Sequence, residues 1–192
     1  MKQIDIDLTF PANYECELFP ELPSGDVEHY FYPNGATSGG KDGILIKVFS
    51  SGDNKWFGTF SGETISQRAL NKVLTWADPN KICIVSSGTG FIIDVNNPKN
   101  FEIIDLIPIL QVISSRERGM IIFASYTNLI AYSKNGFLWK TDRISWDGLT
   151  ITGLNESHLE GIYRDMRSDT DSNFRVNLSN GEVEGEIDKF IS

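Results

Sequence analysis

The chain has 192 residues, 26 acidic and 17 basic side chains and a net charge of −9, so it repels a phosphate backbone, and its densest basic stretch, around Arg116 and Arg118, falls short of the stripe that nucleic-acid binding needs. Cys16 and Cys83 stand far apart without CxxC spacing, which writes neither a disulfide framework nor a zinc site, although a single bridge between them stays open. The opening MKQIDIDLTF alternates charged and apolar residues where a signal peptide would carry an apolar core, and no 18-residue apolar run occurs, so neither nucleic acid nor membrane is an expected partner and cytoplasmic residence is expected.

The length suits one mostly-β domain over residues 1–192. Charge is uneven along it: residues 1–40 hold seven acids and one base, a net −6, and residues 151–192 hold nine acids and four bases, a net −5. Solvated strand faces account for such runs, and a basic partner is their functional counterpart.

Short β-type runs bounded by turn residues recur in chain order. Residues 4–10 and 14–18 read as strands able to pair with each other. Residues 20–43, rich in Pro, Gly, Ser and aromatics, read as a long irregular loop. Residues 44–49 and 55–60 then form a hairpin over Ser51-Gly52-Asp53-Asn54. One inserted helix is predicted near residues 65–76: Thr64 and Gln67 fit a capping box, Ile65, Ala69, Leu70, Val73 and Leu74 fall on one face, and Asp78-Pro79 ends the pattern.

Strands resume at 82–86 and 91–95, turning over Ser87-Gly88-Thr89-Gly90. Four more follow at 109–114, 120–124, 128–132 and 137–140, with Asn135-Gly136 as the strongest hairpin signal. A similar group occupies 149–153, 161–166, 174–178 and 182–187. Tyr132-Ser133-Lys134-Asn135-Gly136 and Leu178-Ser179-Asn180-Gly181 each end a third strand and open a fourth, about 45 residues apart, which marks residues 107–142 and 149–187 as repeat-like four-stranded units.

This spacing resembles β-propeller repeats. The run Phe123-Ala124-Ser125-Tyr126-Thr127-Asn128-Leu129-Ile130-Ala131-Tyr132, through Trp139 and Ser145-Trp146-Asp147-Gly148-Leu149, is similar to uncharacterised bacterial proteins of unassigned function over roughly the C-terminal 100 residues. The resemblance implies antiparallel four-stranded blade-like meanders. Two to three blades fall short of the four that close a ring, so the expected form is an incomplete propeller-like assembly, or a homodimer completed through sheet edges. The pattern departs from WD repeats, because Trp146-Asp147 occurs once, in a loop before a strand, with no Gly-His partner ahead of it. Fold analogy carries no function.

Several constellations bear on chemistry. Gly35-Ala36-Thr37-Ser38-Gly39-Gly40-Lys41 matches a phosphate loop, but Asp42 replaces its magnesium-holding hydroxyl and a strand follows where a helix should. Asp169-Thr170-Asp171-Ser172-Asn173 opens like a calcium loop, but Phe174 replaces its glycine and Asn180 its bidentate glutamate. The histidines are His29, set among aromatics as a structural residue, and His158, whose adjacency to Ser157 does not by itself create catalytic geometry. Neither a G-x-S-x-G elbow nor an H-E-x-x-H pair occurs. Phe137 and Trp139 alternate onto one face, as in a buried sheet. Glu182, Glu184, Glu186 and Asp188 form an acidic face of the kind that protects a sheet edge.

Trp146 differs from the other aromatics in sitting in a turn, beside Asp147 and near Arg143. With Tyr126, these four are the candidate binding residues. The chain is therefore expected to be a non-enzymatic protein-interaction or adaptor module without metal or cofactor, its partner another protein met through the loops at 20–43, 143–148 and 167–173. The alternative is a small-ligand or carbohydrate-binding protein with a concave pocket lined by Trp146. An acid/base hydrolase with two facing carboxylates is the third reading.

Overall fold

The structure is a computed structural model that describes residues 4–33, 43–50, 54–62, 66–146 and 148–185. The described residues form strands and turns with no helix, so none is long and apolar enough to cross a membrane. The chain divides into two compact units, Met1–Pro108 and Ile109–Ser192, each containing two open sheets.

The strands of the first unit are β1 (Asp5–Asp7), β2 (Glu15–Leu18), β3 (His29–Tyr32), β4 (Ile44–Phe49), β5 (Lys55–Phe60), β6 (Lys72–Thr75), β7 (Lys81–Ser86), β8 (Thr89–Asp94) and β9 (Phe101–Ile103). One sheet has the order β2-β4-β5-β3 and the other β1-β6-β7-β8-β9. Side-chain alternation decides which faces meet. Ile44, Ile46 and Val48 of β4 point inward with Trp56 and Phe60 of β5, and they share one core with Val73, Ile82, Ile84, Phe91 and Ile93 of the second sheet. Three buried hydrogen bonds tie the sheets: Trp56 Nε1 donates to the Val95 carbonyl at 3.0 Å, Tyr32 Oη to the Pro98 carbonyl at 2.7 Å and Ser86 Oγ to the Phe60 carbonyl at 2.7 Å.

Three expectations are corrected here. The first two strands do not pair with each other, because β1 runs parallel to β6 and β2 antiparallel to β4. The loop expected over 20–43 contains β3, a run of four ring-bearing residues that suits a pleated surface and pairs parallel with β5. The helix near 65–76 is absent. Its apolar set ends in Val73 and Leu74, which are buried together with the following Thr75 and Trp76, and β6 is paired on both sides, by β1 and β7, which satisfies its backbone without a helix. Short apolar runs are ambiguous by period alone. The expected cap residue Thr64 and the first residue of the apolar face, Ile65, lie outside the described residues, and Ser66 instead closes a single turn, accepting from the Ala69 and Arg68 amides. Between β7 and β8, Ser87 and Gly88 have φ of 45° and 79°, the left-handed pair that a two-residue type I′ hairpin needs.

The second unit consists of β10 (Gln111–Ser115), β11 (Met120–Ala124), β12 (Leu129–Ser133) and β13 (Gly136–Lys140), followed by β14 (Leu149–Leu154), β15 (His158–Asp165), β16 (Thr170–Asn177) and β17 (Val183–Gly185). Each group is an antiparallel meander in chain order. They share a core of Met120, Ile122, Leu129, Trp139, Leu149, Leu159, Tyr163, Phe174 and Val176, with others. Trp139 fastens them: it is 5% exposed and its Nε1 donates to the Leu178 carbonyl at 2.8 Å. Gly181, at φ 75°, lies so close beneath that ring that a Cβ there would sit 2.8 Å from Trp139 Cδ2. Gln111 Oε1 adds a bond from the Ile151 amide at 3.0 Å.

Phe137 departs from the expected alternation. The register of β12 and β13 shifts between Ala131 and Tyr132, so Trp139 stays buried opposite Ala131 while Phe137 is 58% exposed. A bulge resets which side of the pleat each residue faces. Replacing Trp139 by Phe keeps an aromatic ring, though a smaller one, and leaves the Leu178 carbonyl buried without its donor. Trp139→Phe is expected to lower the free energy of unfolding by about 1–3 kcal/mol, measured by urea denaturation, and a change within error would show the bond to be dispensable.

Candidate functional site

The residues singled out from sequence come together in part. The Arg143 guanidinium carbon lies 3.7 Å from the ring centroid of Trp146, and Trp146 is 45% exposed. The preceding residues, Ile144 and Ser145, are fully buried and hold the segment down. The Ile144 amide donates to the Thr127 carbonyl at 2.8 Å, and Asn128 Nδ2 reaches the Thr141 carbonyl at 3.1 Å. The Ser125–Asn128 turn that carries half-buried Tyr126 is thereby bonded to the segment bearing Arg143 and Trp146. A guanidinium stacked on an indole is worth about 0.5–2 kcal/mol and fixes both side chains in place. Asp147 lies outside the described residues, as do the phosphate-loop match at 35–42 and the last residues of the acidic strand, Glu186 and Asp188.

A second surface was missed. On the outer pleat of the β2-β4-β5-β3 sheet, Lys47 Nζ sits 4.4 Å from the Phe49 ring centroid, 5.9 Å from that of Phe19 and 5.8 Å from that of Phe57. Phe19 meets Phe57 edge-on at 5.1 Å. His29 stacks on Phe31 at 4.2 Å and its Nε2 lies 2.9 Å from Thr59 Oγ1. Glu17 pairs with Lys47 at 3.5 Å, and Glu15 and Glu17 stand directly opposite Phe49 and Lys47 in the β2–β4 register. The signal was present in the sequence: ILIKVF and KWFGTF carry large apolar residues on both alternations, Leu45, Phe49 and Phe57 standing opposite the core-facing set.

The outer face of the β14-β15-β16-β17 sheet is the opposite case. Arg164 bonds Asp169 at 2.7 Å and Asp171 at 3.4 Å, Arg175 approaches Glu160 at 3.8 Å and Glu184 at 3.9 Å, and His158 lies 3.4 Å from Glu184. The carboxylates of the calcium-like stretch are thus held by Arg164. Among the described residues, no group of three or more His, Cys, Asp or Glu side chains is arranged to hold a metal ion.

Ser157 and His158 do form a contact that sequence adjacency left open, Oγ to Nδ1 at 2.8 Å, with Glu184 Oε1 3.4 Å from the other ring nitrogen. The order superficially matches a nucleophile, base and carboxylate. Acyl transfer also needs donors for the oxyanion, and the main-chain N–H groups of both Ser157 and His158 already donate to Asn155 Oδ1. The arrangement is that of a capped turn. Cys16 and Cys83 are free thiols, and burial pushes both above the usual thiol range, away from the reactive thiolate.

No protein-family model matches the sequence, and no curated protein matches it. Among solved structures, the chain is similar to one from a complex of an S. cerevisiae Dbp5 variant bound to Nup159, a Gle1 variant, IP6 and ADP, with a TM-score of 0.39 and 12% identity over 95% of this chain and 53% of that one. It is also similar to the N-terminal domain of Nup159, with a TM-score of 0.35 and 13% identity over 95% of this chain and 52% of that one. The chain spans about half the length of the solved chains it matches. Likeness at this level assigns no function.

Burial lowers the pKa of His29, so the fold favours the neutral ring. As pH falls through the unfolded value near 6.5, the unfolded chain binds the proton first. The stabilisation from His29 is therefore complete above that value and is lost progressively below it, down to the lower folded pKa. His29→Gln, which can keep a bond to Thr59, is expected to flatten the decline in stability between about pH 7 and pH 5, measured by denaturant titration at each pH.

Proposed function

We propose that the chain is a non-enzymatic protein-interaction or adaptor module of the cytoplasm, built on blade-like sheets of an incomplete propeller type and similar in this to uncharacterised bacterial proteins. The two four-stranded meanders of the second unit support the blade-like form. The observation that carries the function is the outer face of the β2-β4-β5-β3 sheet, where half-buried Phe19 and Phe49 and buried Phe57 gather around the Lys47 ammonium group and half-buried Phe31 stacks on His29 beside them. A free sheet face of a monomer is ordinarily polar, and a contiguous aromatic one marks a contact surface.

The chemistry of the partner follows from the rim. Glu15 and Glu17 flank the rings, Lys47 is neutralised by Glu17, and the first 40 residues carry a net −6. A partner segment with apolar side chains flanked by lysine or arginine complements this surface, its charges raising the rate of encounter and its apolar groups filling the aromatic floor. The exposed Trp146 with its stacked Arg143 is a second contact point of the kind enriched at interfaces.

Capture from lysate of the source cell, compared between wild type and variants, tests the assignment. Phe49→Glu is expected to reduce recovery of a stoichiometric basic partner at least tenfold, about 1.4 kcal/mol, while Arg175→Ala on the charged sheet leaves it unchanged. Trp146→Ala separates the loop contribution from that of the sheet face. Partner recovery indifferent to Phe49→Glu would rule the face out, and light scattering that finds a dimer dispersed by the same variant would assign the face to a second copy of the chain.

A further inference from the structure

The inner side chains of β3 and β5 run out, at one end of the first unit, into a concave site that the aromatic face does not include. It has a volume of about 380 Å³, within the range of small-molecule sites. Its floor is rigid. Trp56 is fixed through its indole N–H on the Val95 carbonyl and meets the Tyr30 ring edge-on, with centroids 5.9 Å apart.

One wall is the turn between β8 and β9, and it is preorganised through its backbone. The amides of Asn96 and Asn97 both donate to Asp94 Oδ1, at 2.9 and 3.2 Å, and the Asn100 amide donates to the Asn97 carbonyl at 2.8 Å. Tyr32 holds the same turn through the Pro98 carbonyl. With their main-chain amides committed to Asp94, Asn96 and Asn97 are among the residues that line the cavity. Glu28 and Tyr30 form the facing wall, the phenol donating to the Glu28 carboxylate. Burial and that carboxylate raise the phenol to about 12, so it remains protonated at neutral pH. Lys99 supplies one ammonium group at the mouth.

The lining therefore carries one negative and one positive group, which cancel, together with neutral amides that each offer a donor and an acceptor. An anion or a cation would meet its like charge as well as its opposite. A hydroxyl can donate and accept at once, and neighbouring ring hydroxyls present that pair at the spacing of a carboxamide. Ring C–H groups can also rest against the half-buried Tyr30 ring. We propose that this cavity binds a neutral polyhydroxylated ring, a single sugar unit, held by the side-chain amides of Asn96 and Asn97 between Tyr30 and Lys99.

The test is a nitrogen-detected NMR titration of the full chain with D-glucose, D-galactose, D-mannose and N-acetyl-D-glucosamine at millimolar concentrations, with glycine and L-lysine as charged comparators. The expected result is saturable shifts with at least one sugar at the Trp56 indole and at the carboxamides of Asn96 and Asn97. Asn97→Ala removes only the side-chain amide and is expected to weaken the apparent affinity at least tenfold, with the rest of the spectrum superimposable. Lys99→Ala is a second variant that leaves the turn intact, and it is expected to weaken sugar binding by a smaller factor. No saturable shift with any sugar would overturn the proposal. So would saturation by the charged comparators alone, or sugar-induced shifts that persist undiminished in Asn97→Ala.

Discussion

A sheet has two faces and must find a suitable environment for each, and this constraint governs both units. Inside each unit one face of every sheet is covered by the other sheet, through Val48, Trp56, Phe91 and Ile93 in the first and Ile122, Trp139, Tyr163 and Phe174 in the second. Two of the faces left over are informative. On β14 to β17 the leftover face carries His158, Glu160, Arg164, Asp171, Arg175 and Glu184 in alternating charge. Exposed pairs of this kind contribute about 0–1 kcal/mol each to stability, so their main consequence lies elsewhere. Covering them would strip water from half a dozen ionic groups, at several kcal/mol apiece, and this keeps the face solvated. The outer face of β2 to β5 has the opposite balance, since covering its rings releases water at about 25 cal/mol per Å².

Lys47 shows why that aromatic face is not simply core left uncovered. Its stem lies among three phenylalanine rings while its ammonium group faces their π clouds and Glu17. A cation in such a setting keeps the patch hydrated in the free protein and penalises a purely aliphatic partner that offers it no acceptor. Arg143 on Trp146 repeats the device in the second unit. In both places an aromatic surface is held in a fixed orientation by a neighbouring cation, which lowers the entropy lost when a partner arrives.

What the sequence revealed depended on how local the determinant was. The mostly-β class followed from period-2 runs, the β12–β13 hairpin followed from Asn135-Gly136, and the β7–β8 hairpin followed from the turn read over Ser87-Gly88-Thr89-Gly90, of which Ser87 and Gly88 form the loop and Thr89 and Gly90 already belong to β8. The stacking of Arg143 and Trp146 spans three residues and was within reach for the same reason. The helix near 65–76 failed because Val73 and Leu74 fit a helical stripe as well as a buried strand, and only pairing with β1 and β7, from distant parts of the chain, decides between them. Phe137 was misplaced because a bulge leaves no local mark in Gly136-Phe137-Leu138-Trp139. The aromatic face draws Phe19, Phe31, Phe49 and Phe57 from four separate segments, and the amides of the cavity lie almost 70 residues from Glu28. Neither assembly exists until the strand order is known.

That order also couples the two surfaces of the first unit. In β3 the residues alternate strictly: His29 and Phe31 face the aromatic side, while Tyr30 and Tyr32 face the core and its polar mouth. Trp56 and Phe57 divide in the same way on β5. Both surfaces therefore rest on one parallel register, His29 opposite Phe57 and Tyr32 opposite Phe60. A slip of one residue would exchange them, placing a phenol among the phenylalanines and burying an imidazole in the core. The stacked pair Tyr32 and Phe60, with centroids 4.5 Å apart and ring planes nearly parallel, together with the bond from Tyr32 to the Pro98 carbonyl, opposes that slip, since no neighbour of Tyr32 in the strand could reproduce both contacts. One buried tyrosine thus positions a hydrophobic surface on one side of the sheet and a polar cavity on the other.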